Sequence, residues 1–172
     1  FYPINLLVFL LMPSLSYRVI EWLVVFNFWL AGASMYFLMR VLLSDASSSS
    51  QPSSSVLRPS PPPSSFILPS LFSALAYMFS DVFLTHVGNL NILAVSAWLP
   101  LVFALFHLAL TRRSAGWAAG AGVVLGIAVL AGHAQMTLIA SSALGLYGLW
   151  RIAYCVLRMD PHAPRTTHHA PR

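Results

Sequence analysis

The chain has 172 residues, 58 % of them hydrophobic and only 8 % charged, with a mean hydropathy of +0.77 and a formal net charge of +5. A soluble domain carries about 25 % charged residues, so a single buried soluble core would lack the polar surface to cover it. The nine basic residues are all Arg, scattered singly apart from Arg112-Arg113, which excludes a basic stripe for nucleic acid.

Apolar runs therefore set the expected architecture. Roughly 20 helical residues cross about 30 Å of hydrocarbon. The runs predict an all-α, polytopic transmembrane helical bundle of about five spans, plus an N-terminal interfacial or re-entrant helix. Phe1–Met12 is that short piece, stopped by Pro13, with Phe1, Tyr2 and Asn5 suited to a membrane boundary. The chain opens inside an apolar phrase without a basic leader, which reads as a piece of a longer protein rather than a signal peptide. Ser14–Glu21 is a polar break in which Arg18 and Glu21, three apart, can pair on one helical face. Trp22–Leu43 is the first span; Asn27 within it is expected to hydrogen-bond to a neighbouring helix, and Arg40 can reach the surface. Residues 1–43 form the first unit.

Residues 44–65 change character. Eleven of these 22 residues are Ser and five are Pro. Such a stretch buries too little surface to offset chain entropy, so it reads as a disordered loop, with Pro61-Pro62-Pro63 locally extended.

Residues 66–156 are expected to form a four-span bundle. Phe66–Thr85 is the second span, with Pro69 in its first turn, where proline is tolerated. A short polar turn, His86–Asn91, separates it from the third span, Asn91–Leu110, which Pro100 should kink. His107 reads as an interfacial histidine rather than a ligand, having no partner near it in sequence. Gly116–Ala131 is the fourth span; Gly116/Gly120 and Gly122/Gly126 are small-xxx-small pairs expected to pack helices closely. Gly132–Gln135 is a second polar turn. Met136–Val156 is the fifth span, closed by an interface belt of Trp150, Arg151 and Tyr154. Residues 157–172 read as a disordered tail whose His162, His168 and His169 offer at most weak metal binding. Cys155 is the only cysteine, so neither an intrachain disulfide nor a cysteine metal cluster can form.

Basic and non-basic connections alternate. Arg58 lies in the first with Arg40 just before it, Arg112 and Arg113 lie in the third, and Arg151, Arg158, Arg165 and Arg172 mark the tail. The turns at 86–91 and 132–135 carry none. The positive-inside rule then places the Ser/Pro loop and tail in the cytoplasm of a multi-pass plasma-membrane protein. Both His/Asn turns face outward with the N-terminal segment.

That sidedness gathers Asp81, His86, Asn89, Asn91, His133 and Gln135 at the outer ends of the spans. Ionisable groups at membrane depth are functional candidates by default. Asp81 is the sharpest; the competing reading is a local cap or a pair with a histidine. No Gly-rich phosphate loop, nucleophile elbow or two-His helical zinc motif occurs.

The same residues carry a family likeness. Phe1-Tyr2-Pro3-Ile4-Asn5, Leu30-Ala31-Gly32-Ala33-Ser34-Met35-Tyr36 with Arg40, Phe79-Ser80, His86-Val87-Gly88 with Asn91, Ala97-Trp98-Leu99-Pro100 and Ala131-Gly132-His133-Ala134-Gln135 stand in an ordered series. Taken together, the series resembles the YfhO-like bacterial membrane proteins, which are similar to GT-C class glycosyltransferases. The resemblance covers most of the chain apart from the Ser/Pro loop and the tail. It implies a multi-span enzyme that takes a sugar from a polyprenyl-phosphate donor at the outer membrane face. It also implies a catalytic carboxylate, acting as base or metal ligand, that would lie upstream of Phe1. Asn27 and Asn89 stand where the family tends to have His, Asp81 where it has a small residue, and Ala134 where it has Pro.

Under that reading Asp81 is the candidate catalytic base or metal ligand. His86, Asn89, Asn91, His133, Gln135 and Arg18 are the candidate substrate-binding residues, with the histidines or Arg18 facing a lipid phosphate and a divalent metal ion as candidate cofactor. The alternatives are a non-catalytic membrane scaffold or truncated protein, and a transporter module. Against the transporter stand the lack of polar residues mid-span other than Asn27 and of matching broken helices.

Overall fold

The structure, a computed structural model, describes residues 2–11, 16–49 and 62–158. The expected stop at Pro13, most of the Ser/Pro loop with Arg58, and the tail histidines lie outside the described residues. Within them the chain is helical, with no strand. The helices are α1 (Pro3–Leu11), α2 (Tyr17–Ser49), α3 (Ile67–Met78), α4 (Asp81–Thr85), α5 (Leu90–Arg112), α6 (Ala115–Leu130) and α7 (Ala134–Arg158). A 3-10 turn at Pro63–Phe66 leads into α3, preceded by Pro62 in extended geometry (φ −60°, ψ 145°).

Four stretches are long and apolar enough to cross a membrane: Tyr17–Ser48, Ser64–Thr85, Leu90–Arg112 and Ala134–Leu157. The expected fourth span is helical but shorter, at 16 residues in α6, or about 24 Å of helix against about 30 Å of hydrocarbon. Ser114 and Gly132 bound it. Gly132 takes φ +82°, a left-handed geometry that glycine adopts freely, and its N–H closes on the Val129 carbonyl at 3.0 Å.

Two boundaries differ from the sequence reading. First, α2 runs 33 residues, taking in residues 17–21 of the polar break at its start and reaching into the serine stretch at its end. Ser47 and Ser48 hydroxyls donate to the Ser44 carbonyl at 2.8 and 3.0 Å, so these serines satisfy themselves on the helix. Second, the expected continuous span Phe66–Thr85 breaks at Phe79–Ser80. Ser80 is extended (φ −71°, ψ 162°) and starts α4, with Asp81 in its first turn. Asp81 in the first turn suits the positive end of the new helix, while the Ser80 side chain makes no cap hydrogen bond.

Successive spans alternate in direction, so α2 and α5 run parallel, with α3 antiparallel beside them. Leu30 and Ala31 of α2 pack against Leu93 and Ala97 of α5, with Phe83 of α4 buried in the same cluster. Phe28 and Tyr77 meet the Phe83 ring edge-on, at 5.4 and 5.5 Å between centroids. The Tyr77 hydroxyl donates to the Ser96 carbonyl at 2.8 Å, tying α3 to α5. Helix α5 is the most buried, enclosed by α2, α6 and α7, and it continues through Pro100. The outer faces of α1, α2, α3 and α7 expose Leu10, Trp22, Leu68, Phe72 and Leu146, an apolar surface that suits contact with lipid.

Close approaches fall at glycines other than the expected pairs. A Cβ on Gly32 would come within 2.9 Å of Met78 Sδ, and one on Gly148 within 3.3 Å of the Phe106 ring. Gly122 and Gly126 have nothing within 4 Å, and Gly120 meets only Leu105 at 3.8 Å. Small residues on α6 thus do not draw α7 in. Between α5, α6 and α7 lies instead an apolar cleft of about 610 Å³, lined by Phe106, Ala121, Gly122, Ser141, Gly145 and Gly148 among others.

Candidate functional site

Both polar turns lie at one end of the bundle. Ala94 and Val95, one turn into α5, form a buried cluster with Tyr2 and with Ala131 at the end of α6, and Ile4 and Met136 pack onto it. The N-terminal phrase is pinned there by a hydrogen bond: Trp98 Nε1–H donates to the Tyr2 hydroxyl at 2.7 Å. Burial raises the Tyr2 hydroxyl above its ordinary pKa, and the bond from Trp98 offsets part of that rise.

The sequence-predicted residues at this end are placed individually rather than as a converged cluster. Asp81 is exposed in the first turn of α4, where a carboxylate meets the positive end of the helix. Its carboxylate has no histidine partner among the described residues. His86 is exposed, and its Nδ1 lies 2.8 Å from the Thr85 hydroxyl. Asn89 caps α5, its side chain accepting from the Ile92 N–H at 3.4 Å. His133 does the same for α7, its Nδ1 accepting from the Met136 N–H at 3.3 Å. Asn91 and Gln135 are exposed, as is Arg18 at the start of α2. Capping therefore engages Asn89 and one nitrogen of His133, leaving Nε2 of His133 for other partners.

Among the described residues, no three His, Cys, Asp or Glu side chains come together as a metal-binding group.

Asn27 is buried, but it does not reach a neighbouring helix. Its amide donates to the Leu23 carbonyl of its own helix at 2.8 Å, and its Oδ1 is buried without a partner. A side chain aimed back along its own turn cannot bridge helices.

The tightest polar constellation lies at the opposite end, about 25 Å further along α5 than Asn89. His107 is buried, at 5 % exposure, and uses both ring nitrogens. Its Nε2 lies 2.7 Å from Asp45 Oδ2 on α2, and its Nδ1 lies 2.5 Å from the Tyr147 hydroxyl on α7. Three helices thus meet on one imidazole. The partners are 62 and 40 residues away in sequence, so no local pattern signals them. Asp45 sat in a stretch read as disordered loop; the extension of α2 through Ser49 carries it to His107. Nearby, Arg112 stacks over Trp117 at 5.6 Å.

No protein-family model matches the chain, and neither a curated protein nor a solved structure does.

Proposed function

We propose that this chain is part of a GT-C-like glycosyltransferase in the plasma membrane, transferring a sugar from a polyprenyl-phosphate donor at the outer face. The observation that carries the reading is the shared end of the bundle. The packing of Tyr2, Ala94, Val95 and Ala131 brings the N-terminal phrase and both polar turns to one side, and these are three of the segments that carry the family resemblance. At that end Asp81 is free to accept a proton, while His86, His133 and Arg18 supply donors for a phosphate. The orientation follows the arginines, with the Ser/Pro loop and tail cytoplasmic.

The test is sugar transfer by the full-length protein in proteoliposomes loaded with polyprenyl-phosphate sugar. Asp81→Asn and His133→Ala should each lower the rate at least about tenfold, which corresponds to roughly 1.4 kcal/mol of transition-state stabilisation. Unchanged rates in both variants overturn the site.

A second reading, a non-catalytic membrane scaffold, is favoured by one observation: Asn89 and His133 are engaged in helix capping. Under it, the same variants change stability and leave no transfer activity to lose.

A further inference from the structure

We propose that Tyr147, with His107 and Asp45, forms a nucleophilic site at the end of the bundle away from the polar turns, acting on an anionic phosphoester. With Asp45 Oδ2 as the acceptor, His107 Nε2 carries the hydrogen and donates across 2.7 Å. That leaves the Nδ1 lone pair to accept from the Tyr147 O–H across 2.5 Å. A hydroxyl held by a base, with the base held by a carboxylate, is the arrangement that activates a nucleophile. Burial of the ring fixes its orientation, whereas the Asp45 side chain stays 42 % exposed and Tyr147 is half-buried.

Arg151 supplies the charge. It lies one helical turn beyond Tyr147 on α7, within its electrostatic reach. Its Nε is buried and has no hydrogen-bond partner. That guanidinium edge suits a phosphate oxygen. In the step, the Tyr147 O–H bond breaks and its proton passes to His107 Nδ1. The phenol oxygen forms the new bond to phosphorus, and the leaving alkoxide departs with the electron pair of the broken P–O bond. The imidazolium then returns its proton to that alkoxide.

The site can be tested with a small arylsulfonyl fluoride on the purified full chain in nanodiscs. The phenol oxygen displaces fluoride from sulfur, and peptide mass spectrometry reads each tyrosine. Tyr17, 75 % exposed, is the internal reference. Tyr147 should label at least about tenfold faster than Tyr17, and His107→Ala should bring it down to the Tyr17 rate. Asp45→Asn, on the exposed side of the cluster, is the second variant and should lower the rate while elution and helicity stay unchanged. Inorganic phosphate in excess should protect Tyr147, and Arg151→Gln should remove that protection. The proposal fails if Tyr147 labels no faster than Tyr17, if folded His107→Ala or Asp45→Asn protein labels at the unaltered rate, or if excess phosphate does not protect Tyr147.

Discussion

Nε2 of His107 lies 2.7 Å from the Asp45 carboxylate and joins the middle helix of the bundle to α2. Removing the acceptor strands an N–H inside the protein, which costs about 1–3 kcal/mol. The carboxylate is partly open to solvent, so water recovers some of that. Asp45→Ala should destabilise the protein by about 1 kcal/mol in a reversible denaturation experiment in detergent. Asp45→Asn, which keeps an acceptor oxygen, should lose less.

The bond between Trp98 and Tyr2 makes a separate claim about the N-terminal segment. Tyr2→Phe keeps the ring in its buried position and removes only the acceptor for the indole N–H. The expected loss is about 1 kcal/mol. Limited proteolysis should show faster cleavage between α1 and α2, with the rest of the chain unaffected.

Glycine substitutions should separate tight contacts from open faces. Gly148→Leu pushes into the Phe106 ring and should cost about 1–3 kcal/mol. Gly122→Leu meets open space at the apolar cleft and should be close to neutral. Equal melting temperatures for the two variants would contradict the packing described.

Two left-handed residues should respond with opposite signs. Gly132 has φ +82° and Arg113 φ +48°. A Cβ at such a position costs about 1–2 kcal/mol. Gly132→Ala should therefore destabilise, while Arg113→Gly should stabilise slightly; unfolding midpoints in detergent read both.

The helical class was legible because run length and low charge are coarse properties that survive any detail of packing. The shared end of the two turns was legible for the same reason, since alternating spans force it. Local competition was harder to read. The Ser80-Asp81 helix start interrupts an apolar run, and Ser47 and Ser48 stay helical with their hydroxyls bonded to the Ser44 carbonyl. Partnerships across the chain were not legible at all: His107 meets residues from α2 and α7, and nothing in its own segment points to them. Glycine spacing misled because spacing records which residues are small, not which helix lies opposite.

The most direct test is chemical labelling from one side of a sealed membrane. In a Cys155→Ser background, single cysteines at Gly88, Ala134 and Arg113 would be exposed to a membrane-impermeant maleimide on oriented vesicles. Gly88→Cys and Ala134→Cys should label together from one side, and Arg113→Cys only from the other. Labelling of positions 88 and 134 from opposite sides would contradict the fold and remove the proposed sugar-transfer site.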